Sequence, residues 1–167
     1  MADTNELLER LVKQVEELNQ ILQRSPWSFP YTDKWIYHSK TETSKTIGAG
    51  QRFEMLDIKM SGWLVALYII SNSPKVRGVI ELYTPTGVVR WSATMEELFT
   101  QGGLRPTGHA MPYITVYDEE NDYYSAAMTP PYPGFPFRGR VHGYVKNENT
   151  TDILLYRYDI ALFEVVE

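Results

Sequence analysis

The chain has 167 residues, 43% of them hydrophobic and 22% charged, so it can bury a core and lacks the composition of a disordered protein. It has no cysteine, which excludes disulfide frameworks, zinc–thiolate sites and cysteine nucleophiles. A net charge of −5 argues against general nucleic-acid binding, and no apolar run reaches the roughly 18 residues of a membrane span. Residues 1–17 are polar and lack the apolar stretch of a signal peptide. We therefore expect a soluble protein of a reducing compartment, with neither nucleic acid nor membrane as a partner.

Residues 4–24 carry the strongest periodic signal. Apolar side chains recur at intervals of three and four residues, the spacing of a coiled-coil seam, at Leu8, Leu11, Val15, Leu18 and Leu22. Leu7, Val12 and Ile21 flank this seam. The helix is predicted to end at Ser25, because the residue before a proline is disfavoured in the helical conformation.

A helix of about three heptads is only marginally stable alone in water, so it needs a surface to pack against. We predict that it assembles the chain into an oligomer, most simply a homotrimer, although leucine dominates both seam positions and so does not distinguish a dimer from a trimer. The alternatives are that it packs on its own β domain or in a groove of another protein.

After Pro26 the hydrophobic pattern changes to the two-residue period of β-strands. Short strands are predicted at 34–38, 54–60, 63–70, 76–83, 88–92, 113–118, 123–128, 138–146 and 152–166. Turn residues separate them about every 8 to 12 residues, which is typical of sandwiches. The predicted fold is mainly β: an antiparallel, jelly-roll-like β-sandwich preceded by one N-terminal amphipathic helix.

Local patterns add detail to this prediction. Thr94-x-x-Glu97 matches a capping box and predicts a short helix at 95–101. Long connections are expected at 39–52, 102–112 and 129–137, the last held extended by its prolines. Alternation places Leu56, Ile58 and Met60 on one face of their strand. In the last strand it places Leu154, Tyr156, Tyr158, Ile160 and Leu162 together, opposite Arg157 and Asp159.

The chain therefore divides into three predicted parts. Residues 1–25 form a helical segment for oligomerisation or docking, residues 26–52 form a proline- and aromatic-rich arm with the first strand, and residues 53–167 form the β-sandwich domain. Aromatic residues make up 13% of the sequence. Aromatic side chains near proline, with few lysines, are typical of interface cores. Six are predicted to contact a partner: Trp27, Phe29, Tyr31, Trp35, Tyr132 and Phe135.

The aromatic residues allow a second interpretation, because exposed rings can stack on sugars. The candidates for such a carbohydrate site are Trp91, Tyr123, Tyr132 and Phe135. A large β domain also uses aromatic side chains in its own core, so we expect at least half of them to be buried there.

Residues that commonly carry catalysis or bind metals are few. The three histidines, His38, His109 and His142, do not have the spacing of metal ligands. The first and last lie in predicted strands, where we expect them at the surface or hydrogen-bonded. Asp118, Glu119, Glu120 and Asp122 form an acidic turn without the alternating spacing of a calcium loop. We therefore predict a protein that is not an enzyme, with no cofactor and no metal site.

The order of these parts resembles that of accessory structural proteins of tailed bacteriophages, such as capsid decoration proteins, head fibres and neck or baseplate adaptors. The stretch SGWLVALYIISNSPKVRGVIELYTPTG, residues 61–87, is similar to the apolar strand, turn and alternating strands of such modules. The resemblance implies a non-enzymatic virion protein, assembled in the host cytoplasm, that binds capsid or tail subunits through its β domain. The alternative is a carbohydrate-binding or host-receptor-binding module of a tail.

Overall fold

In a computed structural model, the described residues are 12–16, 35–102, 112–130 and 134–166. The chain divides into two compact units, Met1–Tyr31 and Thr32–Glu167. In the first unit, residues 12–16 are helical, as the sequence predicts. The other residues of the predicted helix lie outside the described part of the chain, so the full-length N-terminal helix stays a prediction.

The second unit is mainly β, and its strands are antiparallel. Among its described residues, ten strands follow in chain order: β1 (Trp35–Ile47), β2 (Arg52–Ile58), β3 (Gly62–Ser71), β4 (Val76–Thr84), β5 (Gly87–Thr94), β6 (Tyr113–Asp118), β7 (Tyr123–Met128), β8 (Phe135–Phe137), β9 (Val141–Asn147) and β10 (Ile153–Val165). One short helix, Met95–Gly102, follows β5 directly.

The strands form two sheets that share one hydrophobic core. The larger sheet has the order β1-β10-β3-β7-β6, with β8 paired to β3, and the smaller has the order β2-β9-β4-β5. Leu64 and Ile160 of the larger sheet, Ile80 and Val145 of the smaller sheet, and Met95 of the short helix belong to the same buried cluster. Removing these apolar side chains from water is the main force that holds the two sheets together.

The first strand is longer than the sequence predicts. A strand was expected at 34–38 and a connection at 39–52, but β1 continues to Ile47 and pairs with β10 along its whole length. The expectation is wrong because the stretch SKTETSKT has no apolar alternation. β1 is an edge strand, and it is stabilised by its pairing with β10 and by polar contacts of its side chains instead. Lys40 Nζ donates to the Met55 carbonyl at 2.7 Å, and Thr41 Oγ1 donates to Asp159 Oδ1 at 2.6 Å.

Two register shifts change which side chains face the core. In β2, a shift between Glu54 and Leu56 allows the neighbours Met55 and Leu56 both to be buried, at 0% and 3% exposure. Strict alternation predicts that two neighbours in a strand lie on opposite faces. A β-bulge adds one residue to a strand and so interrupts the strict alternation from which the prediction was made.

The same effect corrects the prediction for β10. A shift between Leu155 and Arg157 places Leu155 and Tyr158 in the core and leaves Leu154 and Tyr156 half-buried. Leu154 and Tyr156 therefore do not share the core face of Tyr158, Ile160 and Leu162, as alternation had predicted.

The structure shows the contacts of the capping box and of the end of the proline-rich stretch. Thr94 N donates to Glu97 Oε2 at 2.8 Å, and Glu97 N donates to Thr94 Oγ1 at 3.0 Å, which confirms the predicted start of the short helix. Of the connection predicted at 129–137, the last three residues form β8, which pairs with the start of β3.

Candidate functional site

The outer faces of the two sheets differ in chemistry. Positions that alternate with core residues in β4 and β9 of the smaller sheet carry Arg77, Glu81 and His142. Equivalent positions in β3 and β10 of the larger sheet carry Tyr68 and Phe163. We call this second surface the aromatic face.

Charges on the smaller sheet are neutralised within the chain. Arg77 donates two hydrogen bonds to Glu97, at 2.7 and 3.0 Å, and two to Glu148, at 2.9 and 3.1 Å. Arg140 donates to both carboxylate oxygens of Asp57, at 2.6 and 2.8 Å. These guanidinium groups hold the pKa of Glu97, Glu148 and Asp57 below their usual values. The charges of Arg77 and Arg140 are thus neutralised by carboxylates of the same chain.

The histidine of this face is also fully engaged. His142 Nδ1 lies 2.9 Å from Glu81 Oε2, and its Nε2 lies 3.4 Å from Glu54 Oε2. Beside it, the guanidinium of Arg52 lies 3.6 Å from the centre of the Tyr144 ring. The two ring nitrogens of His142 face different carboxylates. The side chains of His142, Glu54 and Glu81 therefore do not converge on one point where a metal ion could bind.

The other predicted chemical candidates have structural contacts or lie elsewhere. His38 Nε2 lies 2.7 Å from Glu164 Oε2, and His109 lies outside the described residues. The Asp118 carboxylate accepts hydrogen bonds from the backbone of Glu120 and Asn121 and from the Asn121 side chain, which lower its pKa and hold the acidic turn. Among the described residues, no group of three or more His, Asp or Glu side chains could hold a metal ion.

One end of the aromatic face is apolar and exposed; we call it the Tyr37 end. The rings of Tyr37 and Phe163 meet edge to face with their centres 5.5 Å apart. Trp63 is the next residue across the sheet in register with Phe163. Tyr37 is 57% exposed, although its side chain is large and apolar, and Ile36, which alternation turns to the other side of β1, is 48% exposed. Such exposure at the start of a strand is typical of a contact surface.

The opposite end combines rings with one charge pair; we call it the Tyr123 end. The rings of Tyr123 and Tyr156 are close to parallel, at 23°, with centres 5.8 Å apart. Arg157 donates two hydrogen bonds to Asp159, at 2.7 and 2.9 Å, and this guanidinium lowers the pKa of Asp159. Tyr68 is the residue of β3 in register with Asp159. Aromatic surface and a fixed polar group therefore lie side by side.

The structure places few of the predicted partner-binding residues. Trp27, Phe29, Tyr31 and Tyr132 lie outside the described residues, and Trp35 is the first residue of β1. Phe135 is half-buried in β8, where the centre of its ring lies 4.6 Å from the centre of the Trp91 ring. Both of these rings pack against the core. Among the described candidates for sugar binding, Trp91, Tyr123 and Phe135, Tyr123 is the one whose ring lies on the aromatic face.

The coiled-coil seam is described at one position. Val15 lies among the helical residues 12–16 and is 50% exposed, and Val12, three residues earlier, is 51% exposed. Residues three apart lie on one side of a helix. Two neighbouring apolar side chains are therefore half exposed in the single chain. Leu8, Leu11, Leu18 and Leu22 lie outside the described residues.

Sequence reasoning missed most of the aromatic face. Tyr37, Tyr68 and Phe163 are not among the predicted contact residues, and Tyr156 is predicted to share a strand face with Tyr158 and Ile160. Strict alternation places Tyr68 opposite the core residues Leu67 and Ile69, which is a usable signal. For Tyr156 the bulge in β10 removes that signal. Only the strand pairing shows that residues from β1, β3, β7 and β10 share one surface.

Comparison with known proteins adds no identification. No protein-family model and no curated protein matches the chain. In the part of the chain that the structure describes, no helix has the length and apolar character needed to cross a membrane. The functional argument therefore rests on the surfaces described above.

Proposed function

We propose that this protein is a non-enzymatic structural or accessory component of a virion, such as a capsid decoration protein or a head or tail adaptor. It associates as a homotrimer through its N-terminal helix and binds neighbouring capsid or tail subunits through its β domain. In this proposal the two sheets form the jelly-roll-like β-sandwich that the sequence predicts. The observation that carries the proposal is the half exposure of Val12 and Val15 in the single chain.

Exposed apolar side chains on a helix need a partner. Burying apolar surface contributes about 25 cal/mol per Å², so a seam repeated over three heptads supplies substantial association energy. The spacing of the seam residues from Leu8 to Leu22 is the one that a second and third copy of the same helix complements. An assembled helix also strengthens weak contacts of the β domain, because three copies bind one particle together.

The β domain offers a surface for those contacts at the Tyr37 end. Ile36 and Tyr37 are exposed, and they directly follow the arm that carries Trp27, Phe29 and Tyr31. Residues 27–37 thus form one aromatic-rich stretch of the sequence. Aromatic anchors of this kind dominate the binding energy of protein interfaces.

Light scattering on the full-length protein tests the assembly. We expect the mass of a trimer for the natural chain and the mass of a monomer for Val15→Asp, because a carboxylate in the seam loses its hydration on assembly. Gln20→Asp is the matched control: it adds the same charge at a position away from the seam and should remain trimeric.

The thermal unfolding of each variant shows whether the β domain is still folded. A monomeric natural protein, or a Val15→Asp variant that stays trimeric with a folded β domain, would contradict the assembly. The alternative, a carbohydrate-binding or host-receptor-binding module of a tail, would then be the better proposal.

A further inference from the structure

We propose that the Tyr123 end of the aromatic face binds an uncharged saccharide chain, with the rings of Tyr68, Tyr123 and Tyr156 as stacking surfaces and the Arg157–Asp159 pair as the hydrogen-bonding group. This binding is a separate activity and does not depend on trimer formation or on a virion location.

The tyrosine pair supplies a stacking surface for sugar rings. Tyr123 is 37% exposed, and its ring lies near Tyr156 at an angle of 23°. A tyrosine has few rotatable bonds, so it offers a large apolar contact at a low cost in conformational entropy. One side of a pyranose ring is lined by C–H groups, and these pack on an aromatic ring while the hydroxyl groups point outward.

The ion pair beside the rings supplies hydrogen bonds with fixed geometry. Arg157 donates to Asp159 through Nε and Nη2, at 2.7 and 2.9 Å, and Thr41 Oγ1 donates to Asp159 Oδ1 at 2.6 Å. The Arg157 side chain is 51% exposed and the Asp159 side chain 30%. A guanidinium has five N–H donors, so Arg157 can still donate to hydroxyl oxygens while Asp159 accepts hydroxyl protons.

Strand pairing determines the length of the site. Tyr156 and Arg157 lie on β10, Tyr68 on β3 and Tyr123 on β7, which are three neighbouring strands of the larger sheet. The rings of Tyr123 and Tyr156 meet over β3, so the length is set along the strand: Tyr68 lies three residues from Ser71, which pairs with Tyr124, and three residues span about 10 Å at roughly 3.3 Å per residue. That span is longer than one sugar ring, which favours a chain of sugars over a single monosaccharide.

Local charge selects an uncharged ligand. The positive charge of Arg157 is neutralised by Asp159, so it is not available for a carboxylate or sulfate. Tyr123 directly follows the turn that carries the exposed side chains of Glu119, Glu120 and Asp122. These carboxylates repel an anionic polymer at low ionic strength. A neutral saccharide meets no such repulsion.

Calorimetric titration of the full-length protein with four defined hexasaccharides tests the proposal. Three are uncharged: α-1,4-linked glucose, β-1,4-linked glucose and β-1,4-linked N-acetylglucosamine. The fourth is anionic, α-1,4-linked galacturonate. We expect at least one uncharged hexasaccharide to bind and the galacturonate not to bind. The absence of binding by all three uncharged probes would overturn the proposal.

Variants locate the site. Tyr123→Ala and Tyr156→Ala should each lower the affinity about two- to tenfold, since a stacked aromatic contact contributes roughly 0.5–1.5 kcal/mol beyond area burial. Tyr156→Phe keeps the ring and should retain most of the affinity, which also separates lost stacking from a folding defect. Tyr37→Ala is the matched control at the opposite end of the same face and should bind like the natural chain.

Two further results would contradict the site. If Tyr37→Ala lowers the affinity and Tyr123→Ala and Tyr156→Ala do not, the saccharide binds elsewhere. If Tyr123→Ala changes the mass in light scattering and leaves saccharide affinity unchanged, the Tyr123 end is a protein interface instead. Because mass and saccharide affinity are measured separately, failure of this proposal is distinguishable from failure of the trimer.

Discussion

The hydroxyl of Tyr158 donates a hydrogen bond of 2.9 Å to Glu42 Oε2, and this contact joins the interior strand β10 to the edge strand β1. Tyr158 is fully buried, at 0% exposure. The same hydroxyl lies 3.4 Å from the Met55 carbonyl, to which Lys40 also donates. Polar side chains of β1 thus hold the edge of the larger sheet against β2. Charged groups on an edge strand also discourage pairing with other chains.

Replacing Tyr158 by phenylalanine should lower the free energy of unfolding by about 1–2 kcal/mol, because Glu42 loses its partner in a half-buried position. The urea midpoint at neutral pH measures this change. Glu42→Gln, which keeps an acceptor for the tyrosine hydroxyl, should cost less. Equal stability of Tyr158→Phe and the natural chain would show that this hydrogen bond contributes nothing net.

The stability should fall at alkaline pH, partly because of Tyr158. Burial and the neighbouring Glu42 raise its pKa above the ordinary value of 10.0. A raised pKa in the folded state means that the unfolded chain releases the proton first. The stability that protonated Tyr158 contributes is therefore complete below about pH 10 and is lost as the pH rises further. Urea unfolding between pH 9 and pH 11 should show a smaller loss for Tyr158→Phe than for the natural chain. An equal loss of stability in the variant and the natural chain over this pH range would contradict this explanation.

Acid should weaken the connection between the smaller sheet and the turn after β9. Arg77 lowers the pKa of Glu148 below its ordinary value of 4.5. A lowered pKa stabilises the folded state above that value, and the contribution is lost as the pH falls through the folded-state pKa. Glu148→Gln should therefore be less stable at pH 7 and should lose less stability between pH 5 and pH 3. Glu120→Gln, in an exposed turn, serves as the control and should follow the natural chain.

The capping box should contribute measurably to the short helix. Thr94 Oγ1 accepts a hydrogen bond from Glu97 N at 3.0 Å. Thr94→Ala removes this acceptor and should lower the free energy of unfolding by about 1 kcal/mol. Thr94→Ser keeps the hydroxyl and should retain most of the stability. Chemical denaturation of the two variants compares them directly, and equal destabilisation would assign the effect to the lost methyl group instead.

Gly62 marks a close approach of two backbones at the start of β3. A Cβ at this position would lie 1.9 Å from the carbonyl oxygen of Phe163. Gly62→Ala should therefore force β3 and β10 apart and destabilise the protein by roughly 1–3 kcal/mol, the cost of overpacking. Gly48→Ala is the control, because its new Cβ would meet only the flexible side chain of Gln51. A melting temperature unchanged by Gly62→Ala would be the contrary result.

Local sequence signals predicted most strands and the short helix well. The apolar run at 63–70 became β3, and the alternating run at 76–83 became β4. Thr94 and Glu97 marked the start of the helix correctly. These signals succeed because each depends on residues a few positions apart. The polar strand β1 was cut short at residue 38, because its order comes from pairing with β10, more than 100 residues away in the sequence.

The candidate site was harder to predict than the fold. The number of aromatic residues predicts contacts with a partner, yet Phe135 and Trp91 pack on each other and on the core. Tyr156 was misplaced because a bulge before Arg157 reverses the alternation. No local pattern in a single strand shows that Tyr123 and Tyr156 meet.

By itself the sequence determined the mainly antiparallel β character, the hairpin turns and the absence of cysteine chemistry, since these follow from composition and from short-range periodicity. Only the tertiary structure decided which strands pair, where the bulges lie and which tyrosines share the outer face of the larger sheet. The physical reason is that strand pairing is a long-range hydrogen-bonding choice. The pairing depends on contacts from all parts of the core together. A register shift of one residue moves a side chain from the core to the surface.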